Sequence, residues 1–239
     1  MNLTIDIGNT RTKVGVFSEM QLVEDWSVDR LSIVTVRKII KQYKIQYSIV
    51  SSTKLISDKL LEVLKSQTIN IVLGEQTKLP FKNNYTTPNT LGYDRIALIA
   101  GIQAKYPSQN NLVIGCGTCI TYNFINKKNE FEGGSIHPGL KMRLKAMHTF
   151  TKKLPLIDLN KPKNFVGKST EDNLTVGTSL ATALEIDAMI NHYHVKFSKL
   201  NTIITGGDAV FLVSLLKNKI FVHPNLTLVG LNHILEYNA

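Results

Sequence analysis

Short runs of strand-type residues at 2–7, 13–17 and 21–27 predict three strands joined by tight turns at Gly8–Asn9 and Glu19–Met20. The periodicity then changes to helical. Residues 32–43 place Ile33, Val36, Ile39 and Ile40 on one face, with Ser32 as the N-cap. A buried strand at 46–50 leads to Ser51–Ser52, an amphipathic helix at about 55–66 carries Leu60, Leu61 and Leu64, and strand 69–73 follows. Residues 74–92 are polar and turn-rich (Pro80, Asn83–Asn84, Pro88, Gly92), which marks a boundary or an ordered binding loop.

A helix from Tyr93 to about Lys105 comes next, and then strands at 111–115, 118–125 and 130–136 form a second three-strand meander. Helix 138–149, irregular segment 150–169, long helix 172–196, strand 201–205, helix 208–216, strand 219–222 and a C-terminal helix complete the pattern. The same β-β-β then α/β order therefore occurs twice. Such repetition predicts an α/β fold of two similar lobes, residues 1–86 and 87–239, with a ligand cleft between them. Helix 172–196, apolar at Leu180, Ala183, Leu184, Ile186 and Ile190, is longer than a small domain needs and predicts a homodimer face. A helix buried in its own core is the alternative.

At 239 residues, 43% of them hydrophobic, the chain can bury one large core or two modest ones. No apolar run approaches the roughly 20 residues of a membrane helix. The N-terminus lacks a basic stretch and Asp6 interrupts its apolar run, unlike a signal peptide, so a soluble cytoplasmic protein without membrane contact is expected. The net charge of +10 suits anionic partners, namely nucleotide phosphates and small acids or nucleic acid. The basic residues are scattered, however, with only short clusters such as Lys141, Arg143 and Lys145, which reads as a solvated surface rather than a nucleic-acid interface.

Candidate chemistry begins with Asp6-Ile7-Gly8-Asn9-Thr10 at the end of a buried strand. Gly8 permits close backbone approach to a phosphate, the turn N–H groups and Thr10 hydroxyl can hold its oxygens, and Asp6 can hold Mg²⁺ through water. Lys13 either reaches the phosphates or lies along its strand. Residues 113–124, VIGCGTCITYNF, repeat the pattern: Gly117 stands where Gly8 does and Thr118 in the region of Thr10, but Gly115 replaces Asp6.

Leu91-Gly92-Tyr93-Asp94-Arg95 opens a helix. Asp94 there is either a dipole-favoured acid or a base for a hydroxyl proton, with Arg95 gripping a carboxylate beside it and Tyr85 and Pro88 upstream. The stretch Gly133-Gly134-Ser135-Ile136-His137-Pro138-Gly139 runs from strand to helix and favours anions past Pro138; His137 fits a structural role as well as a catalytic one. Thr205-Gly206-Gly207-Asp208 is a strand-to-helix turn suited to a nucleotide's base or ribose, unless Asp208 is only an N-cap. Ser169 or Thr170 can cap the long helix. Cys116 and Cys119 form a C-x-x-C, but between two strands rather than at a helix start, so they read as turn cysteines rather than a redox or zinc pair.

These motifs, taken in order, resemble type III pantothenate kinases of the acetate and sugar kinase/Hsc70/actin superfamily. The resemblance rests on D-I-G-N-T-R-T-K at 6–13, Tyr85…Pro88…L-G-Y-D-R at 91–95, G-T-C-I-T at 117–121, G-G-S-I-H-P-G at 133–139, G-K-S-T at 167–170 and T-G-G-D-A at 205–209. It implies an actin-like, ribonuclease H-like fold and ATP- and Mg²⁺-dependent phosphorylation of pantothenate, the first committed step to coenzyme A. It also implies a homodimer and a monovalent cation, K⁺ or NH₄⁺. By position, Asp6 would serve the metal–phosphate end with Gly8, Asn9, Thr10 and Lys13, and Asp94 would be the general base. Tyr85, Gly92, Tyr93 and Arg95 would line the pantothenate pocket, Thr170 would reach in from the partner subunit, and Gly117, Thr118 and Thr121 would face the phosphates. The family usually carries Asp at the positions of Gly115 and often at that of Asn123, which predicts weak or absent dependence on the monovalent cation. Two other functions compete: a non-catalytic nucleotide-binding regulator, since some relatives bear the name Bvg accessory factor, and another small-molecule kinase of the superfamily.

Overall fold

Strand β1 (Asn2–Ile7) is followed by β2 (Thr12–Ser18) and β3 (Gln21–Val28), then α1 (Ile33–Tyr43), β4 (Tyr47–Ser52), α2 (Asp58–Gln67) and β5 (Ile69–Val72). A two-residue strand β6 (Lys82–Asn83) and a 3₁₀ turn (Pro88–Thr90) lead into α3 (Tyr93–Lys105). The computed structural model that gives these elements describes residues 1–239. The second part contains β7 (Asn110–Cys116), β8 (Cys119–Ile125), β9 (Glu130–Pro138), α4 (Leu140–Phe150), α5 (Thr170–Thr175), a π-helical turn (Val176–Leu180) and α6 (Ala181–Lys196). It closes with β10 (Leu200–Thr205), α7 (Ala209–Val213), β11 (Phe221–Val222) and α8 (Leu226–Asn238).

The chain groups into two units, one of residues 1–108, 125–132 and 225–239, the other of residues 109–124 and 133–224. The first unit holds a five-stranded sheet in the order β3-β2-β1-β4-β5. β1 runs antiparallel to β2 and parallel to β4, with Asp6 registered against Lys13 on one side and Ser51 on the other. Alternation along β1 decides which face each residue serves. Leu3 and Ile5 pack with Val36, Ile39, Leu60 and Leu64 of α1 and α2. Asn2, Thr4 and Asp6 face the opposite way, where the Asn2 amide donates to Asn232 Oδ1 of α8 at 2.9 Å. Ser32 caps α1, accepting the Thr35 N–H at 3.1 Å.

Residues Arg95 to Ile102 of α3 are all buried, as a helix apolar nearly all round requires. It lies close against α8: a Cβ on Gly230 would stand 1.7 Å from Ala97 O, and one on Gly101 would stand 2.4 Å from Leu226 O. These two glycines let the helix that opens with Asp94 and Arg95 sit against α8 at backbone distance.

The second unit holds β11, β10, β7, most of β8 and the part of β9 from Gly133 onward; these belong to a six-stranded sheet in the order β11-β10-β7-β8-β9-β6, whose residues 125–132 and β6 group with the first unit. Its core joins Leu112, Ile114, Ile120 and Tyr122 to Leu140, Ile186, Ile190 and Leu212. The sequence predicts one helix over 172–196; the chain instead starts helical at Thr170, passes through a π turn at Val176–Leu180, and resumes as α6. Ser169 explains the earlier start, because its hydroxyl accepts the Asp172 N–H at 3.1 Å. The π turn falls on Gly177 and the buried Thr178 and Ser179, and the Ser179 hydroxyl donates to Asn160 O at 2.7 Å. Ala183, Ile186 and Ile190 are taken up by the core of this unit, whereas Leu184 stays exposed. The helix expected over 208–216 shortens to α7 because Asp187 accepts the backbone N–H groups of Lys217 and Asn218, at 2.9 and 3.0 Å, and turns the chain.

Candidate active site

In the first unit the turn after β1 is closed by the Gly8 N–H donating to Arg11 O at 3.0 Å. Asn9 and Thr10 stand exposed at its tip, and the Asn9 side chain accepts the Thr53 hydroxyl at 3.2 Å. Lys13, Asp6 and Ser51 form a row across β2, β1 and β4 on one sheet face, so the register places Lys13 beside the acid. Asp6 is only 8% exposed, and neither its Oδ1 nor the Ser51 Oγ has a hydrogen-bond partner within the chain. Burial pushes the Asp6 carboxyl up to about 6; Lys13 opposes the rise and Asp94 adds to it. The two acids thus sense each other, one at the end of β1 and one in the first turn of α3.

Asp94 is half-buried and Gly92 is the N-cap of α3. A Cβ on Gly92 would stand 2.5 Å from Asp94 Oδ1, so the missing side chain leaves the space that the carboxylate uses. Tyr93 is half-buried beside it and Arg95 is buried. The Arg95 guanidinium rests 5.5 Å from the centroid of Tyr85. Tyr85, Gly92, Tyr93, Asp94 and Arg95 therefore belong to one unit, and Asp6 with Lys13 to the same one.

The second unit gathers its glycine turns around the end of β7. Gly117 and Thr118 form the exposed turn into β8, and the Gly139 N–H donates to Thr118 O at 3.1 Å. A Cβ on Gly139 would stand 2.2 Å from Gly117 O, so the glycine past Pro138 allows that contact. Gly206 holds φ +105, a conformation that favours glycine, and the Asp208 N–H donates to Cys116 O at 3.2 Å. Gly206, Gly207 and Asp208 thereby lie against the same strand end as Gly117 and Thr118. Asp208 occupies the N-cap position of α7 without a side-chain capping bond, and burial raises its carboxyl pKa against the opposing charge of Lys141. Thr121 is buried and its hydroxyl accepts the Asn123 amide at 3.1 Å. Thr170 is exposed at the first turn of α5, with Ser169 as the cap.

Cys116 and Cys119 flank the turn at the ends of β7 and β8 as free thiols. Burial pushes the Cys116 thiol well above its ordinary pKa, which keeps it protonated and unreactive at neutral pH. His137 is held between two partners, with Nε2 at 2.8 Å from Ser135 Oγ and Nδ1 at 2.8 Å from Glu185 Oε1. Arg143 takes the other carboxylate oxygen of Glu185 at 2.8 Å, so His137 ties the β9–α4 connection to α6.

Two residues of the first unit escaped the sequence reading. Ser51 was visible only as the end of a buried strand; its place beside Asp6 follows from parallel pairing across 45 residues of chain, which local pattern does not report. Phe131 was one apolar position in Glu130-Phe131-Glu132, and nothing in that alternation names the residues it touches.

The type III pantothenate kinase family matches residues 2–192. A type III pantothenate kinase of Cytophaga hutchinsonii is 40% identical over 239 residues, covering 100% of both chains. Among solved structures, a Baf family protein of Campylobacter jejuni superposes with a TM-score of 0.62 at 22% identity, covering 99% of this chain and 98% of that one. The inorganic polyphosphate/ATP-glucomannokinase of Arthrobacter sp. strain KM superposes with a TM-score of 0.52 at 14% identity, covering 99% and 98%. The structural likenesses show the actin-like fold of ATPases and sugar kinases, and no helix is long and apolar enough to cross a membrane. With the family matched over most of its length and a full-length relative at that identity, the chain belongs to the type III pantothenate kinases.

Proposed function

We propose that this chain transfers the γ-phosphoryl group of ATP to the primary hydroxyl of pantothenate, with Asp94 as the base and Asp6 at the metal–phosphate end. The family assignment supports the reaction and the substrates. The observation that carries the assignment of roles is the Asp6 carboxylate, buried at a strand end with an unpartnered oxygen, in the same unit as a second acid, Asp94, at the start of α3.

Asp6 fits a hard divalent cation, because a carboxylate oxygen buried without a donor is what an aquated Mg²⁺ ion would engage. Bound there, Mg²⁺ would neutralise charge on the phosphates. The N–H groups at the tip of the turn, beyond the Gly8 N–H that closes it, and the Thr10 hydroxyl hold phosphate oxygens, and Lys13 adds a positive charge. In the second unit Gly117, Thr118 and Thr121 are assigned to the phosphates and Gly206, Gly207 and Asp208 to the base or ribose. The Arg95 guanidinium grips the carboxylate of pantothenate, with Tyr85, Gly92 and Tyr93 lining its pocket. Asp94 accepts the hydroxyl proton as the oxygen attacks in line; positioning and charge neutralisation carry most of the rate. Thr170 contributes from the partner subunit of a homodimer.

The monovalent-cation site of the resemblance does not fit these residues. Gly115 offers no side chain, and Asn123 is fully buried with its neutral amide donating to Thr121 Oγ1 at 3.1 Å. A coupled ADP-release assay with ATP, Mg²⁺ and pantothenate tests the reading. Pantothenate-dependent ADP formation with stoichiometric 4'-phosphopantothenate is the expected result, and no turnover under any monovalent cation would remove the catalytic assignment.

A further inference from the structure

Phe131 is fully buried at the start of β9, where Tyr85 and Arg95 meet on its ring and Phe81 approaches it edge-on. The ring of Tyr85 stacks on it with centroids 5.9 Å apart and planes 13° from parallel. The Arg95 guanidinium carbon lies 5.7 Å from the Phe131 centroid and 5.5 Å from that of Tyr85. The two rings and the cation thus form a nearly equilateral triangle, within the range at which a ring quadrupole attracts a cation. Arg95 is only 4% exposed, so that attraction acts with little screening by water.

The backbone holds the arrangement in place. Asn83 is registered against Phe131, the Asn84 N–H donates to Phe131 O at 3.0 Å, and the Tyr85 N–H donates to Asn83 Oδ1 at 3.0 Å. The segment carrying Tyr85 is therefore strapped to the strand that carries Phe131. A guanidinium held against two rings keeps its N–H donors at its rim in a fixed plane, which is the form that recognises a carboxylate through two parallel bonds.

We propose that Phe131 is a specificity-determining positioning residue: through Tyr85 and Arg95 it makes the substrate pocket select an acid over its neutral analogue. The proposal rests on the pantothenate reading above. Phe131 touches no substrate; its ring, rather than its bulk, fixes the cation that does.

The test compares kcat/KM for pantothenate with that for pantothenol, in which an alcohol replaces the carboxylate. The wild type should prefer the acid. Phe131→Leu keeps an apolar side chain and removes the ring; the preference should fall about tenfold, carried by KM for pantothenate, with kcat within about threefold of wild type. Should that variant fold poorly, Phe131→Met fills the space with a flexible apolar chain, likewise lacks the ring, and should lose the preference in the same way. A wild type that does not discriminate, or a Phe131→Leu or Phe131→Met variant that folds and keeps the full preference, overturns the proposal. Absence of turnover with either substrate would instead remove the pantothenate reading itself.

Discussion

Asp6 is held in a place that disfavours its own charge. Its carboxyl titrates near 6 in the fold against 3.8 in the open chain, with burial the main cause. Between those values the folded protein holds more protons than the unfolded one, so stability falls as pH rises through the window. Above about 6 the penalty is complete, on the order of 3 kcal/mol. Asp6→Asn should therefore raise the denaturation midpoint of the ligand-free protein at pH 7.5, and the gain should vanish below about pH 4. The same variant should impair phosphoryl transfer. Urea titrations at the two pH values check this, and a variant less stable than wild type at pH 7.5 would show that the carboxylate is compensated. At this scale Asp6, Gly8 and Asp94 were legible because each sits in a short motif with its own turn or helix start. Lys13 was ambiguous, since only the antiparallel register decides its neighbour, and Ser51 and Phe131 were hidden because their roles depend on partners far along the chain.

Helix α3 was predicted from Tyr93 to Lys105 and forms over those residues, yet its sequence gives no hint of how near another helix lies. That distance is set by Gly101 and Gly230. A methyl group at Gly230 would collide with the Ala97 carbonyl, which is backbone and cannot rotate away, so the helices must separate. Gly230→Ala should cost about 1–3 kcal/mol or more, read from the urea midpoint, and should lower activity by displacing the start of α3. An unchanged midpoint would mean that the pair tolerates separation. The break of the predicted long helix at Val176–Leu180 was illegible for a related reason. Its turn is drawn toward Asn160 by Ser179, a tertiary contact that 3.6-residue periodicity averages over.

The whole-molecule features most legible in sequence were the repeated meander, because both copies carry a glycine–threonine turn, and the +10 charge, which suits a site for two anions. Two expectations belong to this scale. With Gly115 and Asn123 supplying no charge, turnover in Na⁺- or Tris-only buffer should match that with added K⁺ to within a few-fold, and strong stimulation would mean that other oxygens hold the ion. Phe150, Phe165 and Val166 of the second unit are 87%, 72% and 67% exposed, apolar side chains of the kind that a second copy of the chain would cover. Sedimentation at micromolar concentration should find a dimer; a monomer would remove Thr170 from a partner's pocket. The account as a whole stands on Asp94 taking the hydroxyl proton of pantothenate, and the kcat of Asp94→Asn in the ADP-release assay tests it most directly. A fall of about 10²–10⁴-fold with an unchanged circular dichroism spectrum is the expected result. Near-full kcat would contradict it and leave Asp94 as an acid that merely suits the start of a helix.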